Sequence, residues 1–315
     1  MAKLSRPRFG SLQFWPRKRA SKVLPSVNWK SIKGSGILGF IAYKVGMATA
    51  VAKDLTDKSM TQGKKVFFPV TILEVPKMKV FAIRFYSQGK VIKDVIVSND
   101  KELKRKLKLP KETKKLENEI PAKYDDIRLI IYSLVNQTTI KKTPDMIEIA
   151  IGAQDIQKKL EIAKSLVGKE ISFKDFQDSS LIDVRGLTKG KGICGPVKRF
   201  GISLKQHKTE KGIRRPGSLG PWHPAHVTFR VAMAGQLGYF SRVHYNLKTL
   251  TFGSTSEKNI NPPQGFKNYG LIKTDFVILR GSVQGPPKRQ LLLTPSLRPS
   301  KSLSKKKYEF QELII

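Results

Sequence analysis

From Val184 to Phe252 the chain carries thirteen Lys or Arg residues and one carboxylate, Glu210. A folded surface that faces only water mixes charge signs. A stretch this long that nearly excludes Asp and Glu repels itself and requires a polyanion as its partner, because a single-sign field draws phosphates from long range. The same stretch holds all four histidines and the run Gly220-Pro221-Trp222-His223-Pro224-Ala225-His226, which is turn material without helical or strand period.

The rest of the charge is uneven. The whole chain of 315 residues carries +36; residues 1–30 contribute +8 with no Asp or Glu, and residues 31–183 only +9. The mixed-charge middle predicts a conventional folded surface, with a hydrophobic fraction of 39% to build its core. The two cationic stretches predict arms that reach into phosphate. Residues 1–30 contain Pro7, Pro16 and Pro25, scattered aromatics and the cluster Arg17-Lys18-Arg19. They read as an extended arm, ordered only when a partner neutralises it. A single cysteine, Cys194, excludes an intrachain disulfide and a Cys-based zinc finger. No apolar run approaches the ~18 residues of a membrane helix, and the first ten residues lack a secretory h-region, so the expectation is cytoplasmic, with no membrane partner.

Strand patterns begin at Gly36. Ile37 to Val45 and Lys65 to Val75 are buried-strand candidates, and Met78 to Tyr86 alternates after them. Asn99 to Asp126 is Lys/Glu/Leu-rich, suited to short exposed helices. Ile127 to Val135 and Asp145 to Ile151 read as strands, and Asp155 to Val167 has helical spacing that stops at Gly168. Strands return at Leu181 to Arg185, at Phe252 and from Gly270 to Leu279, and Lys301 to Ile315 reads as a basic run with a short mixed tail. The expected fold is mainly β with an α/β insertion. The arm is residues 1–35; a discontinuous β-barrel domain takes 36–90 and 166–315, including a basic central loop at about 186–250; the insertion is 91–165.

Several motifs resemble catalytic or cofactor signatures and fail on context. Gly34-Ser35-Gly36-Ile37-Leu38-Gly39 has the glycine spacing of a dinucleotide site but lacks a helix after it and an alternating βαβ series; a flexible entry to the first barrel strand is the expectation. Gly186-Leu187-Thr188-Lys189-Gly190-Lys191-Gly192 lacks Walker spacing, yet its glycines permit close backbone approach and Lys189 and Lys191 supply charge. His223 and His226 have no carboxylate or Cys near them in sequence and Pro224 between them, so no metal is expected. Acid–base or Mg²⁺ chemistry needs carboxylates that this region does not have. No enzyme activity, cofactor or small-molecule substrate is therefore expected.

Trp222 is the sharpest candidate. A tryptophan usually buries in a core, but this one has Gly217, Gly220, Pro216, Pro221 and Pro224 around it. On a turn between cationic flanks it can stack on a base, worth on the order of 1–3 kcal/mol. The candidate RNA contacts are Arg6, Arg8, Arg17, Lys18, Arg19 and Lys22 in the arm. In the loop they are Lys189, Lys191, Lys198, Arg199, Lys205, His207, Lys208, Lys211, Arg214 and Arg215, then Trp222, His223, His226, Arg230 and Arg242.

These segments carry a family resemblance. Asp183 to Gly192, Gly220 to Val227 and Ala234-Gly235-Gln236-Leu237-Gly238-Tyr239 resemble the signatures of the universal large-subunit ribosomal protein L3 family, in its archaeal or eukaryote-like version. Arg8-Phe9-Gly10-Ser11-Leu12 and Pro16-Arg17-Lys18-Arg19-Ala20 match the same family. The resemblance implies a translation-protein-type β-barrel with an extended N-terminal arm and a long central RNA-penetrating loop. It implies a ribosome-bound partner set: 23S-type rRNA and neighbouring large-subunit proteins. It places Trp222 at the loop tip near the peptidyl transferase centre, with His223 beside it, and implies a part in early assembly. Eukaryotic relatives carry a modifiable His where this chain has Glu210, so no modification is carried over. The competing expectation is an rRNA-binding assembly factor that leaves the mature particle.

Overall fold

The computed structural model describes residues 8–111, 116–176 and 180–315. Arg6 lies outside the described residues. Two compact units are present. One is residues 8–22 with Leu187–Ser241; the other is Val23–Gly186 with Arg242–Ile315.

The larger unit starts with β1 (Gly36–Ile37), β2 (Phe40–Asp54), β3 (Lys65–Glu74), β4 (Met78–Ser87) and β5 (Lys90–Ile96). It continues through β6 (Asp126–Ser133), β7 (Met146–Gly152), the helix α1 (Ile156–Leu166) and β8 (Leu181–Leu187). The smaller unit contributes β9 (Ile193–Cys194), α2 (Pro196–Phe200) and β10 (Gly235–Gln236). The chain returns through β11 (Ser241–Ser254), β12 (Asp275–Arg280), β13 (Gln290–Pro295), the short helix α3 (Lys301–Lys305) and β14 (Tyr308–Ile314).

Strand pairing follows the order β13-β8-β11-β12-β3-β2-β14, and β13 also pairs with β2, so six strands close into a barrel. The long strand β2 makes the closure possible. Along one edge it pairs with β3 from Tyr43 to Lys53. Along the other it pairs first with β13 (Phe40 to Tyr43) and then with β14 (Thr49 to Asp54). A register shift between Lys44 and Gly46 marks the changeover, as a bulge that re-aims the strand does. Phe40 to Tyr43 enter one hydrophobic cluster, and Val45, Ala50 and Ala52 enter another.

The barrel wall is apolar on both faces because neighbouring residues serve different cores. Val277 and Leu279 of β12 join the first cluster, while Phe276 and Ile278 join the second, the period-two division a strand imposes. The first cluster also takes Ile83, Phe85, Ile127, Leu129 and Ile149 from a second sheet, ordered β1-β7-β6-β4-β5. The barrel and the second sheet therefore share one core. Leu103, on a 3-10 turn at Lys101–Arg105, covers the other face of that sheet beside Phe81 and Tyr132. The α1 helix buries Ala163 against the shared core and ends before Gly168, which takes the left-handed φ of 75° expected of a helix stop.

Three differences from the sequence reading stand out. The second sheet is wider than residues 91–165, since β4 and β1 belong to it. Lys301 to Ile315, read as a basic run with a short mixed tail, supplies α3 and β14. Residues 8–35 do not behave as one arm. Trp29 and Ile32 are buried in the shared core, where a lone aromatic among prolines gives no periodic signal to announce it. The glycine run at Gly34–Gly39 leads into β1 and β2 and not into a helix. Gly152 fits against it because a side chain there would meet the Gly34 carbonyl at 2.2 Å.

Asp183 fixes the place where the cationic loop leaves and returns. Its buried carboxylate accepts the Asn246 N–H at 2.8 Å and the Leu297 N–H at 2.9 Å. It thereby ties β8 to β11 just before the one enters the loop and just after the other leaves it.

Candidate nucleic-acid interface

The smaller unit carries fifteen Lys or Arg residues on its described residues and one carboxylate, Glu210. The ion pairs of the described residues lie elsewhere, among residues 77–170, for example Arg84–Glu148 at 2.9 Å, Arg128–Glu148 at 2.8 Å and Lys159–Asp126 at 2.7 Å. Charge is compensated internally on the second sheet, whereas the loop unit's cations far outnumber its own anions.

The neck of this unit is a narrow antiparallel ribbon. Thr188 N–H donates to the Phe240 carbonyl at 3.0 Å, Lys191 N–H to Leu237 at 2.9 Å, and Leu237 N–H to Gly192 at 2.9 Å. β9 and β10 extend the ribbon, pairing Cys194 with Gly235. The closeness depends on Gly238, whose φ is +76° and whose added Cβ would sit 1.9 Å from the Lys189 carbonyl oxygen. Gly238 thus serves the chain's own ribbon. Lys189 and Lys191 lie on its exposed side.

Next to the neck is a platform of guanidinium groups and aromatic rings. Proline at the first helical position starts α2, and Gly201 at φ 72° ends it, leaving Phe200 buried. The Arg17 guanidinium lies 4.2 Å from the Phe200 ring centre and 5.4 Å from that of Trp15. Arg17 donates to the Arg199 carbonyl at 3.0 Å, and Arg199 returns a bond to the Arg17 carbonyl at 3.4 Å. Arg199 also donates to Gln236 and Met233, each at 3.0 Å. Burial lowers the pKa of its guanidinium. Arg17 and Arg199 therefore act first as the internal fastening between residues 8–22 and the loop, with their donors turned to backbone carbonyls. The N-terminal segment continues along the neck: Ala20 N–H donates to the Tyr239 carbonyl at 3.0 Å, and Arg19 lies over the Tyr239 ring at 4.9 Å.

Beyond the platform the chain has few bonds to itself. Lys205 N–H donates to the Ile213 carbonyl at 3.0 Å and closes a small loop that presents His207, Lys208, Glu210 and Lys211 to solvent. Arg214 and Arg215 are exposed, and so is every residue from Gly220 to Arg230, which includes His223 and His226. Trp222 is 88% exposed, so the core reading of this tryptophan does not hold. The chain's tryptophans fall into three environments: Trp29 in the core, Trp15 half-buried in the platform and Trp222 in solvent.

The other named residues sort in the same way. Arg8, Lys18, Arg19, Lys22 and Lys198 are exposed, and Lys205 is half-buried. Arg242 falls in the larger unit, half-buried, and burial lowers the pKa of its guanidinium. Sequence reasoning missed Phe229, 69% exposed, with the Arg230 guanidinium 5.6 Å from its ring and Trp15 at 5.6 Å edge-on. The signal was available, since Phe229 is another aromatic beside a cation in the same run. The arrangement offers exposed rings for stacking and a dense set of cations for phosphate, with no group of three or more His, Cys, Asp or Glu placed to hold a metal among the described residues.

The family model for Ribosomal protein L3 matches residues 1–313 of the chain. The chain is 41% identical over 317 residues to the large ribosomal subunit protein uL3 of Methanocaldococcus jannaschii, covering 96% of this chain and 94% of that one. It is 40% identical over 316 residues to the uL3 protein of Methanosphaera stadtmanae, and 41% identical over 316 residues to that of Methanobrevibacter smithii. Each of these two covers 95% of this chain and 94% of the relative.

Proposed function

This chain belongs to the ribosomal protein L3 family, and from that membership we propose that it is a structural, ribosome-bound protein of the large subunit that binds 23S-type rRNA through its loop unit. Its barrel and second sheet act as the anchor. The exposed cations of residues 8–22 and 187–241 neutralise phosphate where rRNA helices crowd together, and Trp222 stacks at the tip beside His223, shaping the peptidyl transferase region without performing chemistry. The protein binds early, nucleates folding of the rRNA around it, and works in the cytoplasm among neighbouring large-subunit proteins.

The observation that carries this reading is the exposure of the whole run Gly220 to Arg230 on a unit with fifteen cations and one carboxylate. A segment with so few bonds to itself gains its order from a polyanion. Sedimentation of native extract after a high-salt wash, with the protein followed by mass spectrometry, tests it. Stoichiometric retention in large subunits is expected. Loss to the top of the gradient, or presence in precursor particles alone, would assign the chain to transient assembly. Trp222→Ala is expected to stay in the particle yet alter peptidyl transfer and sensitivity to drugs of that centre, by the ~1–3 kcal/mol of one stacked base. Unchanged transfer and drug response would remove the tip role.

A further inference from the structure

The outer face of β14, β2 and β3 does not resemble the rest of this cationic molecule. Register places Glu309 beside Lys53 and Lys65, then Glu312 beside Val51 and Phe67, then Ile314 beside Thr49 and Pro69. The residues between them, Phe310 and Leu313 on β14 and Phe68 on β3, turn inward to the second hydrophobic cluster. The register shift between Phe310 and Glu312 lets both glutamates and Ile314 share the outward side. Phe67 is 61% exposed, Met47 50% and Ile314 49%.

Two features of β14 select the partner. Among the described residues it pairs with β2 alone, so its other edge is open. Open edges are ordinarily blunted by lysine, yet from Tyr308 to Ile315 this chain has two glutamates and no Lys or Arg. Neither glutamate makes an ion pair among the described residues. With Lys53 and Lys65 set against Glu309, this face is near neutral and β14 itself offers phosphate no cation, while a Lys- or Arg-bearing peptide can pair with Glu312, and the exposed Phe67, Met47 and Ile314 offer apolar anchorage that nucleic acid backbone does not use.

We propose that this face is a protein-docking surface, on which a cationic, strand-forming segment of a neighbouring large-subunit protein lies along the open edge of β14 and over Phe67. The proposal rests on the ribosomal reading above and adds to it a protein-binding site on the larger unit. Main-chain bonds to the β14 edge would give affinity, and Glu309 and Glu312 would select a basic partner.

Zero-length carbodiimide crosslinking of purified native large subunits, read by mass spectrometry, tests it, because the reagent joins carboxylates only to amines in contact. Peptides holding Glu309 or Glu312 are expected to be joined to lysines of one other large-subunit protein. Particles built with the double variant Glu309→Lys, Glu312→Lys are expected to keep this chain and lose that neighbour by at least about tenfold, since like charges then face each other. Links only to this chain's own Lys53 or Lys65, or an unchanged set of neighbours in the variant particles, would overturn the proposal. So would RNA adducts from a photo-crosslinking residue placed at Phe67. If the variant fails to enter particles, the wild-type crosslinks decide. Absence of the wild-type chain from large subunits would instead sink the ribosomal reading, and the docking proposal with it.

Discussion

Buried tyrosines act as donors to carboxylates at separate places in the larger unit. Tyr43 donates to Asp145 at 2.6 Å, Tyr132 to Asp100, and Tyr269 to Glu74. Glu74 is fully buried and also receives the Lys273 and Thr274 N–H groups at 2.9 and 3.1 Å. Burial, reinforced by the facing carboxylates, pushes each phenol above its ordinary value of 10. The sign follows from linkage. Below pH 10 the phenols are protonated in both states and their contribution is complete. Above it the unfolded chain ionises first, and stability falls by about 1.4 kcal/mol per pH unit for each tyrosine. Urea unfolding midpoints of the full chain should therefore be level from neutral pH to about 10 and drop steeply beyond. A level midpoint through pH 11 would contradict the three bonds. Tyr269→Phe should cost roughly 1–3 kcal/mol at neutral pH, because the buried Glu74 Oε2 then loses the tyrosine hydroxyl, and should soften the alkaline fall.

At the scale of elements, the neck of the loop unit hangs on one glycine. Gly238→Ala sets a methyl 1.9 Å from the Lys189 oxygen at a φ of +76°, a strain of roughly 1–3 kcal/mol. Hydrogen exchange should show lost protection at Lys191, Leu237 and Tyr239, with the amides of β3 and β12 unchanged. Gly190→Ala is the control, since its methyl would meet the Tyr239 ring at an ordinary 3.8 Å. How far such elements are legible in sequence depends on whether their pattern is local. The α1 helix, with its start at Asp155 and stop at Gly168, and the strands β3 and β4 are legible because period and punctuation agree; β2 is legible only to Val45, and its continuation to Asp54 is not. β14 is not, because the bulge at Gln311 breaks its alternation and its pairing partner is β2, far away in sequence. The exposed cations and Trp222 could be read from the scarcity of acids. The fastening role of Arg17 and Arg199 could not, since it rests on backbone carbonyls that only the fold brings near.

Across the whole molecule, charge is paired on the second sheet and unmatched in the loop unit. Binding of the full chain to a 23S-type rRNA fragment should accordingly weaken linearly on a log–log plot against salt, with a slope near −0.7 to −0.9 for each phosphate neutralised. Replacing Arg214 and Arg215 together by alanine should flatten that slope by about 1.4–1.8, while Lys104→Ala, in the mixed-charge stretch, should leave it alone. An unaltered slope in the double variant would mean those arginines do not meet phosphate.

The seam of the barrel has a consequence in time. Phe40 of β2 finds its partner at Leu293 of β13, about 250 residues later. At ~5–20 residues per second, a ribosome making this chain takes roughly 12–50 s to cover that distance. Throughout that interval the apolar first half of β2 has no mate on its closing edge. The newborn chain must therefore be sheltered while it is being made, and its vulnerability ends only when β13 emerges to shut the ring.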